Sequence, residues 1–229
     1  MDPNAPSVAP VVTYHGVNIP DNPYLGPQRI RAISRGRYEA QEISAALRSI
    51  GPADRVLELG AGIGIVGAVI AHACRPARID SYEANPALIP IIQTLYDVNN
   101  LTNIRIHHAV ISCEADPPAT VPFYIHGSFL GSSLRPRKRA RDVVDVAVTR
   151  FEDVRHDLNP TAIVMDIEGA ELDLVPQMDL GGVRVVSMEL HPSVYGAEGV
   201  DRIFHALMAQ GLSYSVKASN GPVVTFTRA

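Results

Sequence analysis

Two cysteines, Cys74 and Cys113, are all that the 229-residue chain offers. That is too few for a disulfide framework or a zinc site, and both lie in apolar settings that suit buried free thiols. No run reaches the ~18 apolar residues of a membrane-spanning helix. The N-terminus has neither the basic start nor the apolar core of a signal peptide, so a cytoplasmic location is expected. An excess of either charge is also missing. The net charge is −4 and the pI about 6.0, which gives no global attraction to nucleic acid or acidic membranes. The composition that remains, 46% hydrophobic and 19% charged, is ordinary for a globular protein. The length suits one α/β domain with a proper core.

The stretch from Val56 to Gly67 organises the rest. Val56, Leu57 and Leu59 read as a buried strand broken by Glu58, and Gly60, Gly62 and Gly64 then recur at every second position. An apolar, alanine-rich run over 63–74 has the length and composition of a helix. Glycines let the backbone turn sharply and approach a ligand, and the helix start offers unpaired N–H groups. Gly62, Gly64 and Gly67 satisfy the dinucleotide pattern G-x-G-x-x-G. Read from Glu58, the same stretch is E-x-G-x-G-x-G, the first motif of S-adenosylmethionine (SAM) methyltransferases. Glu58 separates the two: a carboxylate repels a pyrophosphate but favours the sulfonium and ammonium of SAM. SAM is therefore the expected cofactor, with NAD as the rival.

Six of the eighteen prolines fall in residues 1–28, where a helix is disfavoured. Residues 1–35 are expected to form an extended proline-rich arm, with Tyr14, His15 and Tyr24 able to pack or to cover a pocket, and 36–229 the main domain. Ile43, Ala46, Leu47 and Ile50 mark a helix over 38–50; Glu39 and Glu42 at its start complement the helix dipole. Strands are then predicted at 55–59, 78–83 and 104–111, with helices between them, the second capped by Asn85 and Pro86 and disturbed by Pro90. This alternation implies a parallel, doubly wound sheet. Glu83 ends the second strand, placed to accept both ribose hydroxyls of an adenosyl ligand. His107 and His108 read as structural. Residues 112–150 interrupt the alternation with two more strands, 121–126 and 143–149. Between them lie a serine-bearing loop over 127–134 and five cations, Arg135, Arg137, Lys138, Arg139 and Arg141. That basic run reads first as a solvated loop, with attraction of an acidic substrate as the alternative.

A fourth strand over 162–169 ends in Asp166 and Glu168, two apart and so on one face if the strand continues. Glu171 follows and opens a short helix. A fifth strand, 183–190, ends in Glu189 and His191. Ligands of open α/β sheets lie beyond the carboxyl ends of the strands, so these acids read as site residues. A helix over 200–210 leads to two last strands, 213–217 and 223–227, joined at Asn220 and Gly221, with Pro222 lengthening the turn.

Four segments together resemble the FkbM family of SAM-dependent methyltransferases: Glu58 to Gly64, Tyr82 to Pro86, Asp166-Ile167-Glu168-Gly169-Ala170-Glu171, and Met188 to Pro192. The serine-bearing loop looks like that family's own. The resemblance covers about 36–227 and implies a Rossmann-like class I sheet of seven mostly parallel strands, helices on both faces, and a C-terminal antiparallel hairpin. It also implies methyl transfer from SAM, usually to oxygen of a sugar, polyketide or similar small molecule. The cofactor set expected is Glu58, Gly60, Ala61, Gly62, Gly64, Glu83, Ala84, Asn85, Ala109, Val110 and Asp166.

Methyl transfer from a sulfonium needs positioning and, for a hydroxyl acceptor, removal of a proton. His191, Asp166, Glu168 and Glu189 are the candidate catalytic groups, with His191 favoured for its unperturbed pKa. A metal-free site is expected; magnesium on Asp166, Glu168 and Glu189 is the lesser option. The partner expected is a small-molecule acceptor, with no nucleic acid and no membrane. Oligomeric state is open, a homodimer being one option. The alternatives are an NAD-dependent oxidoreductase, a protein-directed methyltransferase and a non-catalytic SAM-binding protein.

Overall fold

Proline decides where the first elements begin and end. The computed structural model describes residues 9–126, 132–134 and 140–228. It opens on an antiparallel hairpin of β1 (Pro10–Tyr14) and β2 (Val17–Pro20). Pro10 pairs with Pro20 at the open end, where a missing N–H costs little. His15 and Gly16 turn the tip with φ of 47° and 84°, the positive pair that a two-residue hairpin needs. Pro27 starts α1 (Pro27–Ser34), a position whose N–H is unused. The expected extended arm is thus regular structure across much of 10–34, because its prolines sit at element boundaries; residues 1–8 lie outside the described ones. Tyr14, Val17, Ile19, Leu25 and Ile33 are buried in the core. The Tyr14 hydroxyl donates to the Tyr38 carbonyl at 2.8 Å, and Asn18 and Asn99 exchange two hydrogen bonds of 2.7 and 2.8 Å.

Then come α2 (Ala40–Ser49), β3 (Arg55–Leu59), α3 (Ile65–Ala73), β4 (Arg78–Glu83), α4 (Ile89–Val98) and β5 (Ile104–His108). Asn85 does not cap α4. Its side chain accepts from the Ala87 N–H at 3.1 Å in a preceding turn, and Pro90 falls in the first turn of a late-starting helix. The predicted strand over 104–111 breaks at Ala109. Its second piece, β6 (Val110–Ser112), leaves the main sheet and pairs with β8 (Ala140–Arg150), which also pairs with β7 (Thr120–His126). The expected extra strands of 112–150 therefore form a small sheet of their own.

A helix that the sequence reading lacked, α5 (Phe151–Leu158), buries Phe151, Val154 and Leu158. After it come β9 (Ala162–Met165), α6 (Glu171–Leu174), β10 (Val185–Glu189), α7 (Pro192–Ala209), β11 (Ser213–Tyr214) and β12 (Val223–Thr227). The predicted helix over 200–210 begins earlier, with a break at Gly196. The fourth strand stops at Met165, well short of Gly169, because Glu168 and Gly169 turn with φ of 54° and 104°.

The main sheet runs β11-β12-β10-β9-β3-β4-β5. Its strands are parallel from β10 to β5, and β12 is antiparallel to both of its neighbours. This is the expected seven-stranded sheet with a C-terminal antiparallel pair. Alternation along β3 divides the core: Val56 packs under α3 and α4 with the N-terminal hairpin, while Leu57 and Leu59 face α5 and α7. The order reverses between β3 and β9, the place where open α/β sheets form a ligand crevice. Among the described residues, no helix is long and apolar enough to cross a membrane.

Candidate functional site

The turn after β3 is held by the neighbouring strand ends. The N–H groups of Gly60 and Ala61 both donate to the Tyr82 carbonyl, at 3.0 and 3.1 Å. A Cβ on Gly60 would lie 1.8 Å from the Asp166 carbonyl oxygen, so the close approach of β3 to β9 admits only glycine. Gly67 has another reason to be small. A Cβ there would come within 2.3 Å of Glu58 Oε2. The Glu58 carboxylate therefore lies beneath α3, where it accepts the Ser81 hydroxyl. Burial pushes its pKa up to about 7, against the lowering effect of that hydrogen bond.

Over this turn lies a cavity of about 350 Å³. Gly60, Gly62, Glu83 and Ala84 line it with Ala109 and Val110, with Phe123 of β7 and with Ser132 and Ser133. Asp166 and Glu168 line it too. Glu83 is already engaged: Oε2 accepts from the Gly62 N–H at 2.8 Å and Oε1 from the Asn85 N–H at 2.7 Å. Burial nonetheless raises its pKa to about 7. Of the expected cofactor residues, Gly60, Gly62, Glu83, Ala84, Ala109, Val110 and Asp166 line this cavity. Glu58 and Ala61 line a narrower one instead, of about 50 Å³. Gly64 and Asn85 line neither; they cap α3 and shape the turn after β4. Cys113 also borders the larger cavity. Tyr14, His15 and Tyr24 border neither, so packing is what the structure shows for them.

The narrower cavity is walled by acids. Tyr38, Glu39 and Glu42 come from the start of α2, Asp166 from the end of β9 and Glu189 from the end of β10. Asp166 and Glu168 do not share the face of a continuing strand; the turn at Glu168 brings both toward His191 instead. Nε2 of His191 is 3.6 Å from Asp166 Oδ1 and 4.0 Å from Glu168 Oε2, and its Nδ1 is 3.2 Å from Glu171 Oε1. The Glu171 carboxylate also accepts the Ile167 N–H at 3.0 Å. Burial alone would lower the His191 pKa, but Glu171, Asp166 and Glu168 raise it to about 9. The unperturbed value that favoured His191 as a base thus does not survive this environment. Burial, reinforced by the neighbouring acids, raises Asp166 and Glu189 to about 7 and Glu39 to about 8.

Sequence reasoning missed Tyr38, Glu39, Glu42 and Glu171 as site residues, since Glu39 and Glu42 read as dipole partners of their helix. Glu39 does carry a signal, though one visible only in the fold: φ of 43° at the start of α2, an uncommon conformation for a non-glycine residue. His107 stacks on Tyr82 at 4.7 Å and lies 3.7 Å from Asp80, and His108 contacts the Ala84 carbonyl; all three contacts are structural. Arg135, Arg137, Lys138 and Arg139, with 127–131 of the serine-bearing loop, lie outside the described residues, as does the side chain of Arg141.

No family model and no curated protein sequence matches the chain, so the likeness to the FkbM family rests on the motifs quoted above. Solved structures do match. One is precorrin-6y C5,15-methyltransferase from Geobacter metallireducens GS-15, at 11% identity and a TM-score of 0.50, covering 84% of this chain and 89% of that one. Another is Trm5b from Pyrococcus abyssi, at 12% identity and a TM-score of 0.50, covering 94% of this chain and 54% of that one. At such identities the likeness establishes the fold, a Rossmann-like α/β sheet of the kind found in methyltransferases.

Proposed function

We propose that this chain is a SAM-dependent methyltransferase acting on a small-molecule acceptor, with oxygen as the site of methylation. One observation carries the choice of cofactor. Glu83, Asp166 and Glu168 line the larger cavity, Glu39, Glu42, Glu58 and Glu189 the narrower, and no lysine or arginine lines either one among the described residues. A dinucleotide would bring a pyrophosphate into that field and be repelled, whereas the sulfonium and ammonium of SAM are attracted. The larger cavity is of a size for one small ligand. Its glycine turn and Glu83 stand where an adenosyl group and its ribose hydroxyls are bound in sheets of this order.

SAM in the larger cavity would direct its methyl toward Asp166, which borders both cavities. The acceptor would then enter on the acid side, where removing its proton falls to the cluster of Asp166, Glu168, Glu189 and His191. The protein's part is to hold the two reactants in line and take that proton.

Calorimetry with SAM and with NADH tests the cofactor. Binding of SAM alone is the expected result, and binding of NADH alone would return the chain to the oxidoreductases. A tritiated-methyl assay across small-molecule pools and protein lysate tests the acceptor. Label in a small molecule supports the reading, label in protein replaces the acceptor class, and SAM binding without any transfer points to a binding protein.

A further inference from the structure

We infer that Asp166, Glu189 and His191 form a binding site for a divalent cation, with Glu171 holding the histidine from behind. One ligand atom from each of the three lies within 4.8 Å of the others. Small side-chain movements would close that spread onto metal–ligand distances of about 2.0–2.3 Å.

The ring of His191 is set for such a role. Its Nδ1 faces Glu171 Oε1 at 3.2 Å, which leaves Nε2 toward Asp166 Oδ1 at 3.6 Å. A carboxylate behind one ring nitrogen and an acidic oxygen before the other is the arrangement of a metal-binding histidine and its supporting carboxylate.

The polar atoms supply an independent reason. Asp166 Oδ1, Glu171 Oε2 and His191 Nδ1 are all buried without a hydrogen-bond partner, and the Glu171 side chain is 0% exposed. Buried polar atoms are almost always satisfied, so three in one place leave coordination that a ligand can fill. Glu39 and Glu42, at the start of α2, lie within electrostatic reach of Asp166 and Glu189. The magnesium option read from the sequence drew on carboxylates alone. Here His191 joins in place of Glu168, and an imidazole with two carboxylates suits a cation such as Mn²⁺.

A cation at this point would hold an acceptor oxygen and favour its ionised form, with His191 acting as a ligand. That use rests on the methyltransferase reading; cation binding itself does not.

The test is a titration of the whole chain with Mn²⁺, without SAM, followed by electron paramagnetic resonance. One saturable site is expected. His191→Ala and Asp166→Asn should each abolish it, and Glu171→Gln should weaken it by roughly 10–100-fold, the usual effect of losing a supporting carboxylate. Glu152→Gln on α5 should change nothing. Absence of a saturable site, or one that survives both His191→Ala and Asp166→Asn, overturns the inference. Should either variant melt abnormally, bound Mn²⁺ in the unaltered chain must still broaden the His191 imidazole resonances, and sharp resonances at saturation overturn it equally. SAM affinity is measured separately. SAM binding without a Mn²⁺ site removes only the cation, and a Mn²⁺ site without SAM binding removes only the methyltransferase reading.

Discussion

The glycine-turn end of the larger cavity is held by main chain, whereas the narrower cavity gathers carboxylates. Around the first, Gly60 and Ala61 N–H groups meet the Tyr82 carbonyl, and Glu83 is gripped by two backbone donors. Around the second, Glu39, Glu42, Asp166 and Glu189 arrive from three separate segments and raise one another's pKa. A site made of backbone can be rigid before its ligand arrives. A site made of like charges is costly until a cation enters it. The two should therefore respond to different perturbations, and Asp166, which borders both, should respond to either.

The largest separation is expected in turnover. His191→Ala should slow transfer by roughly 10²–10⁴, the usual weight of general-base assistance, because Asp166 and Glu168 lose the imidazole that holds them in place for proton removal. SAM affinity should barely move, since His191 borders neither cavity directly. Asp166→Asn should slow turnover comparably and weaken SAM as well. Equal losses of SAM affinity in both variants, by calorimetry, would erase the division between the two regions.

Gly60→Ala comes next and should damage both regions together. The new Cβ would meet the Asp166 carbonyl at 1.8 Å, in a residue whose φ is 83°. Strain and overpacking together suggest a loss of about 2–4 kcal/mol in urea unfolding. A variant as stable as the parent would mean that β3 and β9 can separate without cost.

Why the sequence reveals one region more fully than the other follows from how each is built. The glycine turn and Glu83 are local: strand, turn and helix lie consecutively, and an acid at a strand end is visible in the chain. Asp166, Glu168, Glu189 and His191 were legible as strand ends, but their geometry was not. Residues 162–169 alone imply a continuing strand, whereas Glu168 and Gly169 turn with positive φ. Glu39 and Glu42 were explained locally by their helix, and nothing in that segment announces that α2 packs its start against β10. The N-terminal hairpin was hidden for a related reason. Proline count forbids helix only inside an element, and here the prolines mark the edges.

Glu83→Gln tests the backbone-built region alone. Its two N–H partners remain bonded to oxygen at one position only, and the charge that would receive ribose hydroxyls is gone. SAM affinity should fall by about 1.5–3 kcal/mol, the range for hydrogen bonds to a charged group. Mn²⁺ binding should stay as it is. An unchanged SAM dissociation constant would remove Glu83 from the ligand site.

The smallest effect concerns Glu58, the acid that lies beneath the turn instead of in the larger cavity. Burial raises its pKa in the folded chain from 4.5 to about 7. Between those values the unfolded chain has released the proton and the folded chain retains it, so folding is favoured at the acid end. Stability should fall as pH rises across that window. Glu83, Asp166, Glu189 and Glu39 contribute in the same direction, so the slope is shared among them. Glu58→Gln keeps an oxygen for the Ser81 hydroxyl but cannot ionise. Its stability should decline less between pH 5 and 7 than the parent's, by on the order of 1 kcal/mol in urea melts at the two pH values. The difference arises under α3, where Glu83 and none of the acids of β9 and β10 is the carboxylate acting on Glu58, so it should persist in a Glu189→Gln background. A slope that vanishes there would show that Glu58 titrates as part of the acid cluster, and that the two regions share one electrostatic field.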